Sequence, residues 1–282
     1  MAPPSQRSQN VIHRFKNYIP TPDTYPDTRR AAVLLPLFFN DDGELEVILT
    51  VRSMNLNSHP GEVALPGGKA DEEDKDLVDT AFREAREEIG LPPTSHTYLT
   101  TLQPFMSKSL LIVTPIVSLL KPSSVPFQPI PQPTEVHAVF TAPLERFISS
   151  RNYIPSDGTI KGSIFRHHCF NPPHHHPPKS EGYSVTGLTA HILVHAVKVG
   201  FGFIPPTGSA AADPEPGVVC QVMEHPTGSP FENAPPGSWM DEMVAHLIAD
   251  NMFAGQEGAK QGGATQPMAV EGMESGTGFS RM

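Results

Sequence analysis

Apolar and polar residues alternate in blocks over roughly the first 200 positions, and each block predicts an element. The apolar runs 31–39 and 45–51 flank Asn40-Asp41-Asp42-Gly43, which is typical of a β-hairpin. Helical periodicity covers about 77–90 and again 188–199. Further elements are predicted as strands at about 97–104, 109–119, 135–141 and 163–170, a short helix at 143–149 and a Pro-rich extended segment at 121–134. Mixed strands with helices on both sides indicate the α/β class.

The helix at 77–90 has one apolar face and one acidic face. At about 100° per residue, the stripe predicted to face the core comprises Val78, Ala81, Phe82, Ala85 and Ile89. The other side carries Glu84, Glu87 and Glu88, which repel one another unless a cation lies between them. Oxygen-only ligation suits Mg²⁺ or Mn²⁺, so the face predicts a metal site. The alternative is a solvated charged face interleaved with arginines.

The same helix carries a motif. The run Arg83-Glu84-Ala85-Arg86-Glu87-Glu88-Ile89-Gly90-Leu91 resembles the second half of the Nudix box, G-x5-E-x7-R-E-U-x-E-E-x-G-U, where U is aliphatic. The first half departs from that pattern. The sixth residue after Gly68 is Asp74 rather than Glu, and eight residues instead of seven separate it from Arg83. One extra residue in the loop before the helix accounts for both differences.

Other segments resemble the coenzyme A diphosphatase branch of the Nudix family. Its second signature is matched by Leu49-Thr50-Val51-Arg52-Ser53, Gly61 and Pro66-Gly67-Gly68, and the opening of its last helix by Gly187-Leu188-Thr189-Ala190. The resemblance covers about residues 28–203.

The chain departs from that signature at two positions and from the segment before the last helix at a third place. Asn57 stands where the branch has a basic residue, Leu65 where it has Phe, and Val185-Thr186 where it has an aliphatic-Trp pair. The changes at Asn57 and Leu65 keep open a Nudix enzyme for another nucleotide, such as ADP-ribose or NADH. A catalytically inactive, nucleotide-binding Nudix module is a further alternative from another class.

The resemblance implies a fold, a reaction and a site. The fold is an α/β/α sandwich with a mixed sheet, and the reaction is Mg²⁺- or Mn²⁺-dependent hydrolysis of the diphosphate linkage of coenzyme A or acyl-coenzyme A. The products would be 3′,5′-ADP and 4′-phosphopantetheine or its acyl form. Metal binding and catalysis would fall to Glu84, Glu87 and Glu88, with the base unassigned among them. Arg83 would orient a glutamate.

The substrate phosphates need further partners near the glycine turn. Backbone at Gly67 and Gly68 can approach a phosphate or offer a carbonyl to the cation; the alternative is that both are ordinary turn glycines. Arg52 is predicted either to bind a phosphate or to pair with a surface acid, and Lys69 is a second basic candidate. Glu135 either assists the site or is an exposed loop acid.

Two other constellations are weaker. The histidines of 167–168 and 174–176 lie among prolines, which favours a histidine-rich loop over a metal site. A serine hydrolase has no support, since the sequence contains no Gly-x-Ser-x-Gly elbow.

The whole chain has 282 residues and a formal net charge of −10, which argues against nucleic-acid or anionic-membrane partners. Cys169 and Cys220 lack Cys-x-x-Cys spacing, so a reducing, intracellular compartment is expected. No apolar run approaches the ~20 residues of a membrane span. Residues 1–27 are predicted as an N-terminal extension, 28–203 as the Nudix domain, and 204–282 as a mostly disordered tail with a possible helix at 238–252.

The sequence ends on Ser280-Arg281-Met282, which resembles the peroxisomal address Ser-Lys-Leu. The tripeptide predicts recognition by the peroxisomal import receptor, with a cytoplasmic location as the alternative.

Overall fold

The computed structural model describes residues 2–20, 23, 25, 29–107, 109–149, 152–160, 163–172 and 182–203. Several predictions lie outside these residues: the histidines 174–176, Cys220, the helix at 238–252 and the terminal Ser280-Arg281-Met282. They stay predictions.

The elements follow one another along the chain. The helices are α1 (Gln6–Asn17), α2 (Leu77–Ile89) and α3 (Gly187–Gly200). The strands of the main sheet are β1 (Arg30–Phe39), β2 (Leu45–Arg52), β3 (Val63–Ala64), β4 (Gly67–Lys69), β5 (His96–Thr101), β6 (Phe105–Met106), β7 (Ile112–Leu120) and β8 (Val136–Pro143). Two small sheets contain β9 (Ser156–Ile160), β10 (Ser163–His167), β11 (Cys169–Phe170) and β12 (Val185–Thr186). Short 3₁₀ helices occupy Pro93–Ser95, Pro122–Ser124 and Leu144–Ile148.

The main sheet is mixed, which confirms the predicted α/β class. Its central path runs β3-β2-β1-β7-β5, with β4 paired to β1, β6 to β7 and β8 to β2. β1 and β7 are parallel, and the other pairs are antiparallel. The predicted α/β/α layering is that of the Nudix fold.

A proline in the central strand marks the point where β1 changes partners. β4 pairs with residues 31–33, and β2 pairs with 37–39. Leu34 N donates to Pro66 O on that side, at 2.8 Å. Since successive N–H groups of a strand point to opposite sides, the missing N–H of Pro36 falls on the same side, between the two partners. No ladder bond is lost there.

The predicted apolar stripe of α2 faces the core. Ala81, Ala85 and Ile89 are fully buried, in one cluster with residues of β1, β2 and β7, and Val78 and Phe82 pack against it partly buried. The alanines and the small Ala32 beneath them let the helix lie close to the sheet. This contact decides where the acidic face of α2 lies.

Helix α1 is a feature that the sequence analysis did not predict. Its N-cap Ser5 accepts a hydrogen bond from Ser8 N, and its apolar side buries Val11 and Phe15 against α3. The approach is close, because a Cβ on Gly200 would lie 2.9 Å from Val11 Cγ1. The signal was a Ser cap followed by apolar residues at helical spacing. The predicted extension therefore contributes to the core.

Other boundaries moved. The strand predicted at 97–104 is β5 followed by the separate β6, and the one at 163–170 is interrupted at His168. The side chain of His168 is partly buried there, and its Nδ1 lies 2.8 Å from Tyr153 Oη. None of the helices in the described ranges is long and apolar enough to cross a membrane.

Buried histidines couple the fold to pH. His96 is 4 % exposed, and neither ring nitrogen has a hydrogen-bond partner among the residues described. Burial, with a smaller contribution from Lys121, lowers its pKa to about 4. Since a histidine in the unfolded chain has a pKa near ~6.5, the unfolded state binds more protons between these values. The free energy of unfolding therefore falls as the pH drops through this window.

We expect His96→Leu to remove this dependence at one site. When the pH is lowered from 7.5 to 5.5, the wild type should lose about 1 kcal/mol more of its free energy of unfolding than the variant does. Urea unfolding at the two pH values measures it, with the exposed His13→Leu as control. A gap that is equal at both pH values would contradict the linkage.

Candidate active site

The ends of α2 are both fixed by local interactions. Asp76 caps the N-terminus through Asp76 Oδ1, which accepts from Val78 N at 2.9 Å and from Asp79 N at 2.8 Å. At the other end, Gly90 takes a left-handed conformation with φ of 72°, and its N–H donates to Arg86 O at 3.0 Å. Glycine is favoured in that conformation because it has no Cβ. The helix is therefore held at a defined length beside β4.

The glycine turn brings β4 against the acidic face of α2. A Cβ on Gly68 would lie 2.4 Å from Glu84 Oε1, so the carboxylate occupies the space that a side chain would take. A Cβ on Gly67 would lie 2.4 Å from Ala32 O and 2.6 Å from Val33 Cα. Gly67 N donates to Glu88 Oε2 at 3.2 Å. Two of the three predicted glutamates thus contact the turn directly.

Arg83 uses all its N–H groups to organise the acids around it. Nε and Nη2 donate to the two oxygens of Asp74 at 2.8 and 2.9 Å, and Nη2 also donates to Lys69 O at 3.1 Å. Nη1 donates to Glu84 Oε1 at 2.9 Å and to Glu87 Oε2 at 3.3 Å. A guanidinium has five N–H donors, and each has a partner here. These contacts place the guanidinium of Arg83 among Asp74, Glu84 and Glu87.

Asp74 is the partner that the irregular first half of the motif left undefined. Its side chain is 5 % exposed, and besides Arg83 it accepts from Thr80 Oγ1 at 2.8 Å and from Asp71 N at 2.9 Å. The hydrogen bonds from Arg83 hold the pKa of the Asp74 carboxyl well below its usual range. Despite the extra loop residue, Asp74 therefore anchors the guanidinium to the loop before α2.

The glutamates differ in their electrostatic surroundings. Burial is the main cause that raises the pKa of Glu88 to about 8, and repulsion from Glu84 and Glu135 raises it further. The hydrogen bond from Gly67 N–H and the charge of Arg52 act in the opposite direction and lower this pKa. Burial also raises the pKa of Glu84, although the Arg83 hydrogen bond opposes it. Carboxylates whose pKa is raised by burial and by neighbouring acids are stabilised by added positive charge. This is the property expected of a cation site.

Glu87 lies apart from the other two. Its side chain is half exposed and lies near Arg83 Nη1 at 3.3 Å and Arg86 Nη2 at 3.6 Å. In the described part of the chain, no three His, Cys, Asp or Glu side chains stand together in an arrangement that could hold a metal ion. The structure thus brings Glu84 and Glu88 to the glycine turn and leaves Glu87 turned toward the arginines.

The predicted phosphate-binding residues surround the same turn. Arg52 ends β2 beside the register shift against β8, and its Nε donates to Ser58 O at 3.3 Å. Lys69 ends β4 with an exposed side chain, while its carbonyl accepts from Arg83. Lys69 directly follows Gly67 and Gly68 in the sequence. Arg52 is close enough to Glu88 to lower the pKa of that carboxyl.

Glu135 is the residue that sequence reasoning left undecided. It directly precedes β8, and its charge raises the pKa of both Glu84 and Glu88. Its carbonyl accepts from Ser53 N at 2.8 Å, next to Arg52. No local pattern signals this placement, because it depends on the pairing of β8 with β2.

The comparisons with known proteins agree with the motif. The model of the NUDIX domain matches residues 28–160. "Nudix hydrolase 15, mitochondrial" of Arabidopsis thaliana is 48 % identical over 171 residues, which are 61 % of this chain and 58 % of that protein. "Peroxisomal coenzyme A diphosphatase NUDT7" of Mus musculus is 35 % identical over 179 residues, 64 % of this chain and 73 % of that protein.

A bacterial relative is covered almost completely. "Uncharacterized Nudix hydrolase NudL" of Yersinia pestis (strain Pestoides F) is 36 % identical over 198 residues, 67 % of this chain and 93 % of that protein. By contrast, the chain spans only a little over half of the plant protein's length.

We expect alanine at the two turn glycines to have different costs. Gly67→Ala places its Cβ against backbone of β1, which cannot move away, and should reduce the free energy of unfolding by about 2–3 kcal/mol. Gly68→Ala meets the end of the Glu84 side chain, which can rotate, and should cost less than about 1 kcal/mol. Urea unfolding of both variants measures the difference. Equal costs would contradict the geometry of the turn.

Proposed function

Since the chain belongs to the Nudix hydrolase family, we propose that it hydrolyses the diphosphate linkage of coenzyme A and acyl-coenzyme A with Mg²⁺ or Mn²⁺. The products are 3′,5′-ADP and 4′-phosphopantetheine or its acyl form. The observation that carries the proposal is the pair of carboxylates, half-buried Glu84 and buried Glu88, held against the Gly67-Gly68 backbone. Phosphate groups can approach such a backbone closely, and the acids beside it supply oxygen ligands.

The residues at the turn fit a divalent cation. Glu84 and Glu88 offer oxygen ligands, and their pKa values are raised first by burial and further by repulsion from neighbouring glutamates. Glu87 would become the third carboxylate ligand if its side chain gave up its hydrogen bond from Arg83 Nη1. That bond, at 3.3 Å, is longer than the 2.9 Å bond from the same nitrogen to Glu84. When bound, the cation neutralises diphosphate charge and lowers the pKa of a coordinated water.

The remaining residues position and bind. Arg83, anchored by Asp74, holds Glu84 at the turn, and the Gly67 N–H holds Glu88. Arg52 and Lys69 supply positive charge for the substrate phosphates, where a charge-assisted hydrogen bond is stronger than a neutral one.

The choice of coenzyme A rests on the upstream signature and on the relative whose name states coenzyme A diphosphatase activity. One departure from the signature concerns packing: Leu65 is 3 % exposed, so its side chain belongs to the core rather than to a substrate surface. Asn57 is exposed in the loop after Arg52. This position supports the second candidate, a diphosphatase for ADP-ribose or NADH, because it lacks the basic group of the signature.

For location, we propose the peroxisome, through binding of Ser280-Arg281-Met282 to the import receptor. The tripeptide and the peroxisomal relative support it, while the plant relative carries a mitochondrial name. An N-terminal fluorescent fusion should enter peroxisomes and lose that location when the three residues are deleted; identical distributions would contradict it.

For the metal ligands, we expect Glu88→Gln or Glu84→Gln to reduce turnover at limiting Mg²⁺ by at least ~100-fold, because the amide loses the charge that holds the cation. Stability should not fall for Glu88→Gln, since burial already disfavours the ionised form. Glu73→Gln, at an exposed loop position, is the matched control. Near-normal turnover in either variant would remove that residue from the site.

For the substrate, we expect a higher kcat/KM for coenzyme A than for the same molecule without its 3′-phosphate. A charge-assisted contact contributes roughly 1.5–3 kcal/mol, on the order of tenfold to a hundredfold. Arg52→Ala or Lys69→Ala should reduce this preference, while the exposed Arg86→Ala should leave it unchanged. Equal rates with dephospho-coenzyme A, or a preference for ADP-ribose, would favour the second candidate.

A further inference from the structure

The segment of residues 130–135, here called the strap, crosses the C-terminal end of α2. Ile130 N donates to Ile89 O at 2.9 Å, and Gln132 N donates to Glu88 O at 2.8 Å. The last carbonyls of a helix have no partner within the helix, so outside donors must supply one. The strap therefore completes the hydrogen bonding of the turn that carries Glu88.

The sequence of the strap suits this task. Prolines at 129, 131 and 133 have no N–H and restrict the backbone, so the donors between them are those of Ile130 and Gln132. Both side chains are exposed, with Ile130 at 73 %. The attachment of this stretch to α2 is therefore made by backbone groups rather than by buried side chains.

The other end of the strap is attached to β2. Glu135 N and Val136 N both donate to Gln132 O, at 3.0 and 2.8 Å, which closes a tight turn. Glu135 O then accepts from Ser53 N at 2.8 Å. One short segment thus connects the backbone of Glu88 with the backbone of Glu135, through Gln132 alone.

We propose that the strap is a backbone clamp, in which Gln132 is the positioning residue that sets Glu88 and Glu135 relative to one another for cation binding. The proposal rests on the proposed function, which assigns Glu88 to the cation, and it adds Glu135, whose backbone the strap joins to that of Glu88. An unpaired helix end frays, and fraying of the last turn of α2 would move Glu88 away from Gly67. If the strap had only a packing role, its disruption would change the free energy of unfolding but not the affinity for metal.

The test compares Gln132→Pro, which removes the donor, with Gln132→Ala, which keeps it. Mn²⁺ affinity is measured from free Mn²⁺ by electron paramagnetic resonance, and kcat and KM are measured with coenzyme A. We expect Gln132→Ala to stay within about twofold of the wild type, because a backbone N–H is retained. Gln132→Pro should bind Mn²⁺ at least about tenfold more weakly and lose kcat similarly, with KM changed less than about threefold.

A coupling measurement separates positioning from general weakening. Glu135→Gln should reduce the Mn²⁺ affinity of the wild type. The same change in the Gln132→Pro background should reduce it little further, because the backbone link between Glu88 and Glu135 is already broken there. Folded Gln132→Pro protein with the Mn²⁺ affinity of Gln132→Ala would overturn the clamp.

Hydrogen exchange of the unaltered protein keeps the test decisive if the proline variant fails to fold. The amide of Gln132 should exchange as slowly as those of the last turn of α2. Exchange of Gln132 at the rate of a free peptide would contradict the clamp. Failure of the wild type to bind Mn²⁺ or to hydrolyse coenzyme A would instead count against the proposed function.

Discussion

The structure depends on the close approach of an acidic helix to a glycine turn. Glu84 occupies the space beside Gly68 where any other residue would place its Cβ, and Glu88 accepts from Gly67 N. The approach is possible because small residues, Ala81 and Ala85, form the buried side of α2. Packing on one face of the helix therefore forces carboxylates into a confined, partly desolvated space on the other.

The charge in that space is balanced unevenly. Arg83 makes its five hydrogen bonds on the side of Asp74, Glu84 and Glu87. The pKa of Glu88 is raised mainly because the side chain is buried, and repulsion from Glu84 and Glu135 adds to this, while the Gly67 N–H and Arg52 oppose the shift. Arg83 thus serves as a fixed internal counterion for Asp74, Glu84 and Glu87.

Both ends of α2 are held by segments that are not helical themselves. At the N-terminus, Asp74 ties the preceding loop to Arg83 within the helix. At the C-terminus, Ile130 and Gln132 supply donors from a segment about 40 residues further along the chain. A helix held in this way can carry repelling carboxylates with less fraying, since the carbonyls of Glu88 and Ile89 in its last turn have partners.

The sequence by itself determined most elements of the domain and the composition of the acidic face of α2. The spacing of Ala81, Ala85 and Ile89 predicted the core side of α2, and the motif from Arg83 to Leu91 indicated the family, because both are local patterns of period 3.6 or of fixed order. The sequence did not indicate that α1 joins the core, although a capping serine was present.

Only the tertiary structure decided which acids meet. Glu87 and Glu88 are adjacent on the chain, yet one turns to the arginines and the other is buried at the glycine turn. Glu135 lies near Glu84 and Glu88 because β8 pairs with β2, and Gln132 reaches α2 because of the path of the strap. Such contacts join residues far apart in sequence, and burial and repulsion depend on distances in space that no local periodicity contains.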